Sequence, residues 1–313
     1  MNRFRKENKS VIFISHDLDE IMEVCDTLTV LRDGKIIRTF EKAEFEAGAI
    51  RASMIGRELQ GDYYRSDFQA SSQPEVALDV RNLVYADRLK GISFQVHKGE
   101  IVGIGGLAHC GMHSLGKVCF GALKPEEGSV TVEDGTIIDS PAIAMKKRVG
   151  YVSKDRDVES LCLNASIEDN ISIAGMSEFA INNFLILKNR EKKYVNHQIE
   201  ELSIKCAGRD QSVSQLSGGN KQKVVFGKWI GCGSEILILD CPTRGVDIGV
   251  KQAMYQLMVR LKNEGKSILM ISEELPELIG MSDRILIMKN GEVSAEFERS
   301  ETLSDAQIIE YMI

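Results

Sequence analysis

The chain has no apolar run approaching the roughly 18 residues of a membrane-spanning helix, so any membrane role must come through a partner. It has no C-x-x-C pair. Its seven cysteines (Cys25, Cys110, Cys119, Cys162, Cys206, Cys232, Cys241) are odd in number and scattered, which fits free thiols in a reducing compartment, not a disulfide framework or a zinc site. It has no excess of positive charge either: the formal net charge is −7, which argues against nucleic acid as the partner of the whole chain. What is present is an ordinary globular composition, 43% hydrophobic, in 313 residues that a length prior divides into about two domains.

Two stretches repeat. Lys9 to Glu41 reads KSVIFISHDLDEIMEVCDTLTVLRDGKIIRTFE, and Lys266 to Glu298 reads KSILMISEELPELIGMSDRILIMKNGEVSAEFE; they align without a gap at an offset of 257 residues, Lys9 against Lys266. Identical pairs include Ser15/Ser272, Leu18/Leu275, Glu20/Glu277, Asp26/Asp283, Gly34/Gly291 and Phe40/Phe297. Each copy reads strand, helix, strand, tight turn at D-G or N-G, strand. A period this long means duplicated domains, not a solenoid. The second copy closes a complete domain, whereas nothing precedes the first to pair with its apolar run Val11 to Ile14. Residues 1–58 are therefore expected to be the closing part of a preceding domain. Residues 59–75, polar and poor in aliphatics, read as a linker, and 76–313 as one complete domain. A native N-terminal βα extension is the alternative for 1–58.

Within 76–313, Val76 to Val84 and Ile92 to Val96 alternate as antiparallel strands do. Ile101 to Gly106 reads as a buried strand entering a glycine-rich loop, then a helix to about Phe120. Ser129 to Ile137 is a hairpin turning at Asp134-Gly135, Val149 to Val152 a strand, and 164–215 helix-rich. A helix from about Val250 to Asn263 and a strand from Ser267 to Ile271 follow.

The organising stretch is Leu216-Ser217-Gly218-Gly219-Asn220 with the strand Ile236 to Asp240. Small residues at 217–219 open a helix there, so backbone N–H groups can face an anion with help from the helix dipole. The apolar run ends in Asp240, as a buried parallel strand delivering a carboxylate to its carboxyl edge would, and continues to Asp247. The strings LSGGNKQKVVFGKW and LDCPTRGVDIGVK resemble the signature sequence, Walker B strand and D-loop of ABC-type ATPases. They look like the second cassette of monosaccharide-importer ATP-binding subunits. The resemblance covers nearly the whole chain. It implies an α/β, P-loop NTPase-like ABC cassette: a mixed sheet core, an antiparallel β subdomain and an inserted helical subdomain.

It also implies ATP and Mg²⁺ as ligands, and here the residues depart from the pattern. A P-loop reads G-x-x-x-x-G-K-[ST] between strand and helix: backbone cradles phosphate, Lys supplies charge, the hydroxyl holds Mg²⁺. At that place stand Gly106-Leu107-Ala108-His109-Cys110-Gly111-Met112-His113, with Met112 for Lys and His113 for the hydroxyl. Losing the Lys removes a charge worth on the order of a few kcal/mol beside phosphate. A shifted string, Gly111 to Lys117 through Ser114, also fits the glycines and Lys, but it ends in Val118 and starts where the helix should already run. Cys241 stands where the resemblance implies the water-polarising Glu, whose kind of base contributes about 10² to 10⁴-fold. Glu273 stands where the first copy has His16, the implied switch histidine; there it would repel a terminal phosphate. Lys154 stands where the resemblance implies the Q-loop Gln, or the Glu of sugar-importer second cassettes, and either offers charge to phosphate or is solvated. Arg156 reads as a local clamp, Tyr85 as an adenine platform or a strand-face tyrosine, His113 as a metal ligand or a helix residue, and His16 alternatively as a packed strand-end histidine. Asp240 would hold Mg²⁺ through water, weakly. Lys221 and Lys223 are expected to be solvated.

ABC cassettes pair head to tail, so His16 and Ser217 to Gly219 would serve one composite ATP site. The implied function is the ATP-binding component of a sugar importer, cytoplasmic and held to the membrane by permease subunits, with a sugar-binding protein as indirect partner. The alternatives are a non-catalytic cassette that only completes another's site and a soluble, non-transport ABC protein.

Overall fold

A computed structural model describes residues 2–7, 9–15, 18–32, 34–55, 63–68, 71–181 and 185–313. His16 lies outside them. The chain divides into two compact units, Met1–Tyr63 with Asp247–Ala253, and Tyr64–Val246 with Met254–Ile313.

The first unit carries α1 (Asn2–Lys6), α2 (Leu18–Val24), the hairpin β1 (Thr27–Arg32) and β2 (Lys35–Glu41), and α3 (Ala47–Ile55). Thr27 faces Glu41, and the register slips between Val30 and Leu31. Its small core joins Leu18, Val30, Phe40, Ile50 and Ile248. The apolar run at 9–15 forms no strand: Ile12 is 93% and Ile14 92% exposed. That run and residues 27–31 line a groove of about 780 Å³.

In the second unit β3 (Val76–Tyr85) and β4 (Leu89–His97) pair antiparallel. β5 (Ile101–Gly106) leads through the glycine loop into α4 (Met112–Cys119). β6 (Glu127–Val132) returns to pair with β3, completing a three-stranded sheet. The hairpin expected over Ser129 to Ile137 has only a one-residue return arm, the bridge of Thr131 with Ile137. α5 (Pro141–Lys146) precedes β7 (Val149–Val152). The helical part holds α6 (Ile167–Ser172), α7 (Met176–Phe179), a two-residue hairpin of β8 (Ala180–Ile181) and β9 (Leu185–Ile186), α8 (Lys188–Glu201) and α9 (Gly218–Gly231). α6 packs on both α8 and α9. The chain closes with β10 (Ile236–Asp240), α10 (Ile248–Asn263), β11 (Ser267–Ile271), α11 (Leu275–Met281), β12 (Arg284–Lys289), β13 (Glu292–Glu298) and α12 (Asp305–Met312).

The main sheet runs β13-β12-β5-β11-β10-β7. All neighbours are parallel except β12 with β13. Every residue of β5, β7, β10 and β11 is buried, which is why their sequences are nearly continuous apolar runs without alternation. The architecture is the α/β cassette expected: mixed sheet, antiparallel subdomain, helical insertion. Arg65, 7% exposed, donates to Asp283 Oδ1 at 2.9 Å and to the Met281 carbonyl at 3.0 Å. Asp283 also meets Lys262 Nζ at 3.0 Å and accepts from the Ile101 N–H at 2.8 Å. Arg65 is thus held in a buried ionic network, while residues 66–68 and 71–75 around it are exposed.

Candidate functional site

The parallel strands bring five residues to one edge, where open α/β sheets bind ligands. Asp240 ends β10 and is fully buried; Cys241 follows it, 7% exposed and held at φ +51°. Glu273 lies just past β11, Lys154 just past β7, and His113 in the first turn of α4 after β5. Sequence spacing placed them on separate elements; the sheet order β5-β11-β10-β7 makes them neighbours.

Four of them, His113, Asp240, Lys154 and Glu273, form a hydrogen-bonded network. His113 Nδ1 lies 2.7 Å from Asp240 Oδ1. Lys154 Nζ lies 2.9 Å from His113 Nε2 and 2.6 Å from Glu273 Oε1. The ammonium can only donate, so Nε2 accepts and the ring proton sits on Nδ1, facing the carboxylate. Glu273 Oε1 is also 3.4 Å from Nε2. Lys154 is therefore not solvated, and it holds the Glu273 carboxyl below its usual range. Burial pushes the Cys241 thiol up, and Asp240 and Glu273 add to that, so it is no base at neutral pH. Tyr151, which sequence reasoning missed, donates its hydroxyl to Asp240 Oδ2 at 3.3 Å. Only the pairing of β7 with β10, which sets Tyr151 opposite Ile238, brings it there.

The glycine loop keeps a tight shape for packing reasons. A Cβ on Gly106 would stand 2.5 Å from Cys110 Sγ and from the Met288 carbonyl. Gly111 sits at φ +105°, and a Cβ there would meet the Arg88 carbonyl at 2.1 Å. Met112, at the lysine position, is 1% exposed: it is core, not a phosphate contact. Ser114 is also buried, at 5%. The shifted string does not form a second loop. Its residues from Met112 on are helical in α4, and Lys117 pairs instead with Glu159 at 2.7 Å. Tyr85 ends β3 opposite Leu89, half-buried. Tested against Mg²⁺, the residues do not fit well. The hydroxyl ligand is gone, and one buried carboxylate oxygen stands among a ring nitrogen and a thiol, where Mg²⁺ requires a nearly all-oxygen shell.

The signature end is different. Ser217 is the N-cap of α9 and is exposed, and Gly218 and Gly219 supply the helix's first N–H groups. Asn220 bridges two segments, its Nδ2 donating to Ser217 Oγ at 2.9 Å and its Oδ1 accepting from the Lys205 N–H at 2.8 Å. Leu216 is buried beneath. Arg156 does act as a clamp, reaching the carbonyls of Arg244 at 2.6 Å and Gly245 at 3.2 Å. Lys221 and Lys223 are corrected from solvated to paired: Lys221 Nζ meets Asp157 Oδ2 at 3.2 Å, and Lys223 Nζ meets the Ser203 carbonyl at 2.9 Å. In the first unit, Asp247 Oδ1 accepts from the Val250 N–H at 3.0 Å and so caps the start of α10.

The ABC transporter family profile matches residues 89–244. The ribose import ATP-binding protein RbsA of Clostridium tetani (strain Massachusetts / E88) is 37% identical over 314 residues, covering 100% of this chain and 61% of its own length. Its counterpart in Bacillus subtilis (strain 168) is 38% identical, over 96% of this chain and 60% of that protein. The chain thus spans about three fifths of the curated relatives it matches. Among solved structures, a nucleotide-free ATP-binding cassette from an ABC transporter superposes with a TM-score of 0.63 at 24% identity, over 76% of this chain and 99% of that one. The cbiO1 subunit of Clostridium perfringens, part of the ABC transporter complex cbiONQ, gives 0.61 at 26% identity over 75% and 94%. With a matching family profile and relatives 37% and 38% identical over nearly all of its residues, the chain belongs to the ABC transporter family as an ATP-binding cassette protein.

Proposed function

We propose that this chain serves a monosaccharide importer of the ribose type by donating its signature helix to ATP held on another cassette, while its own phosphate loop does not turn ATP over. The observation that carries this reading is an asymmetry within one unit. The Ser217 end of α9 is open, with N–H groups and a hydroxyl available to a phosphate. The loop end is closed by His113, Asp240, Lys154 and Glu273 bonded to one another, with Met112 buried in place of a cation.

In this role Ser217, Gly218, Gly219 and Asn220 bind and orient, and Arg156 fixes the loop at Arg244 and Gly245 against the α9 terminus. ATP, when bound, supplies the free energy that closes two cassettes and, on cleavage, lets them part. Residues 1–58 belong, on this reading, to another cassette whose switch histidine is His16, and Asp247 lies in the loop that faces it. The helical part and the segment 152–156 pass the motion to a permease at the cytoplasmic face, and a sugar-binding protein acts beyond it. The similarity of nearly all of this chain to about three fifths of ribose import proteins supports the sugar class. Because this chain's own turnover machinery is altered at five positions, Met112, His113, Lys154, Cys241 and Glu273, the non-catalytic form of the family role is favoured over self-sufficient hydrolysis.

The test is a turnover assay on the purified chain alone and with a hydrolysis-competent cassette partner from a ribose importer. The chain alone is expected to show no Mg²⁺-dependent hydrolysis above background, and the mixture to show turnover that Ser217→Arg removes. Hydrolysis by the chain alone, or turnover in the mixture indifferent to Ser217→Arg, overturns the proposal.

A further inference from the structure

The cluster that fits Mg²⁺ poorly has a donor set of another kind. One nitrogen of His113, one carboxylate oxygen of Asp240 and Sγ of Cys241 all lie within 4.8 Å of one another. Nitrogen, oxygen and sulfur in one pocket match Zn²⁺ and its neighbours, which take four ligands tetrahedrally from imidazole, carboxylate and thiolate. Two of the three sit in the interior and the third is partly open to solvent. We propose that His113 Nδ1, Asp240 Oδ1 and Cys241 Sγ form a Zn²⁺-class metal site at the place where a working cassette would hold Mg²⁺, with the fourth position left to water.

The charge and the protons balance. The cation enters between Nδ1 and Oδ1, now 2.7 Å apart and sharing a proton, and widens that contact. The ring proton moves through solvent to Nε2, which turns from accepting to donating. Its new acceptor is already in place: Glu273 Oε1, 3.4 Å away, becomes the carboxylate behind a metal-bound histidine. Lys154 keeps its contact with Glu273, at 2.6 Å, so its charge stays compensated. The Cys241 thiol releases its proton to solvent on binding. One thiolate and one carboxylate then offset the two charges of the ion. The three ligands sit on α4 and at the end of β10, far apart in sequence, so the absence of a C-x-x-C pair does not bear on them.

Metal-stripped protein is titrated with Co²⁺ as a spectroscopic probe and with Zn²⁺ in competition, with Mg²⁺ in large excess as the contrast. The expected result is one Co²⁺ per chain, with the intense visible bands of a tetrahedral ion and a thiolate charge-transfer band, both discharged by Zn²⁺ and untouched by Mg²⁺. Cys241→Ser is expected to lose the thiolate band, His113→Gln to weaken binding by roughly 100-fold, and Glu273→Gln, which leaves the ligands intact, by about 10-fold. Because six other cysteines remain, a thiolate band that survives Cys241→Ser assigns the metal elsewhere and overturns the site. So does binding in His113→Gln equal to that of the parent, and so does octahedral Co²⁺ displaced by Mg²⁺. Circular dichroism of each variant separates lost ligands from lost fold. None of these readouts involves ATP, so the site stands or falls apart from the proposed function.

Discussion

Two regions of this chain share a sequence and differ in fate. Ser267–Ile271 is a fully buried strand, paired with β5 on one side and β10 on the other. Its counterpart at 10–14, SVIFI against SILMI, is no strand at all, with two isoleucines more than nine-tenths exposed. The elements that follow are the same in both copies. Helix Leu18–Val24 answers Leu275–Met281, and hairpin β1–β2 answers β12–β13. Even the register slip recurs, at Val30/Leu31 and at Ile287/Met288. The hairpin is local and forms in both; the central strand is not local and forms only where neighbours exist. In the second copy β5 lies between β12 and β11, and the 780 Å³ groove lies between the corresponding pieces of the first, β1 and the 9–15 run. Burying an isoleucine is worth about 1.5–3 kcal/mol, so the two exposed ones forgo a sum comparable with the lower end of a domain's stability.

The largest effect should come from supplying the neighbours. On the reading of 1–58 as part of another cassette, the strand that fills the groove is an apolar, parallel one like β5, carried by that cassette's core. Co-expressing this chain with the two fifths of the Bacillus subtilis relative that it does not match should yield a complex in which the amides of 10–14 gain hydrogen-exchange protection by orders of magnitude. Ile12→Asp with Ile14→Asp should abolish it. Failure to associate, with 10–14 left unprotected, would count against the strand's having any such partner.

Next in size is the same truncation made in both copies. Leu269→Ala removes a side chain with no exposed surface and should cost about 2–5 kcal/mol in urea denaturation. The matching Ile12→Ala should stay within about 0.5 kcal/mol, as exposed sites do. Equal costs would mean that the first copy's run is buried in solution.

Legibility in the sequence followed the same division between local and distant causes. The buried strands β5, β10 and β11 were readable from their apolar runs, the signature helix from its small residues, and the repeat from plain alignment. The network at the site was readable only as a set of odd residues. That His113 meets Asp240, and Lys154 meets Glu273, depends on strand order, which no window of sequence contains. The same holds for Lys221, read as solvated and found against Asp157, and for Arg65, read as linker and found buried on Asp283. A polar residue carries no mark of whether its partner is water or a group two hundred positions away. The turn at Arg156–Ser160, a π-helical one, went unread because its sequence, RDVES, has neither glycine nor proline to announce it.

The smallest effect concerns a position where the two copies differ in chemistry, His16 against Glu273. The Lys154–Glu273 pair is 27% and 43% exposed, so it should contribute only about 0.2–1 kcal/mol, and less at high salt. Glu273 is held below its ordinary value of 4.5, chiefly by the hydrogen bond from Lys154. A carboxylate with a depressed folded pKa stabilises the fold above its unfolded value and loses that contribution as pH falls through the folded one. Glu273→Gln should therefore be slightly less stable than the parent at pH 7. The gap should close on acidification below the ordinary glutamate range, while Lys154→Met should shrink the gap already at pH 7. Paired urea melts at several pH values measure it. A gap that persists unchanged into acid would mean that the glutamate acts through packing and not through charge, and that its difference from His16 is one of shape.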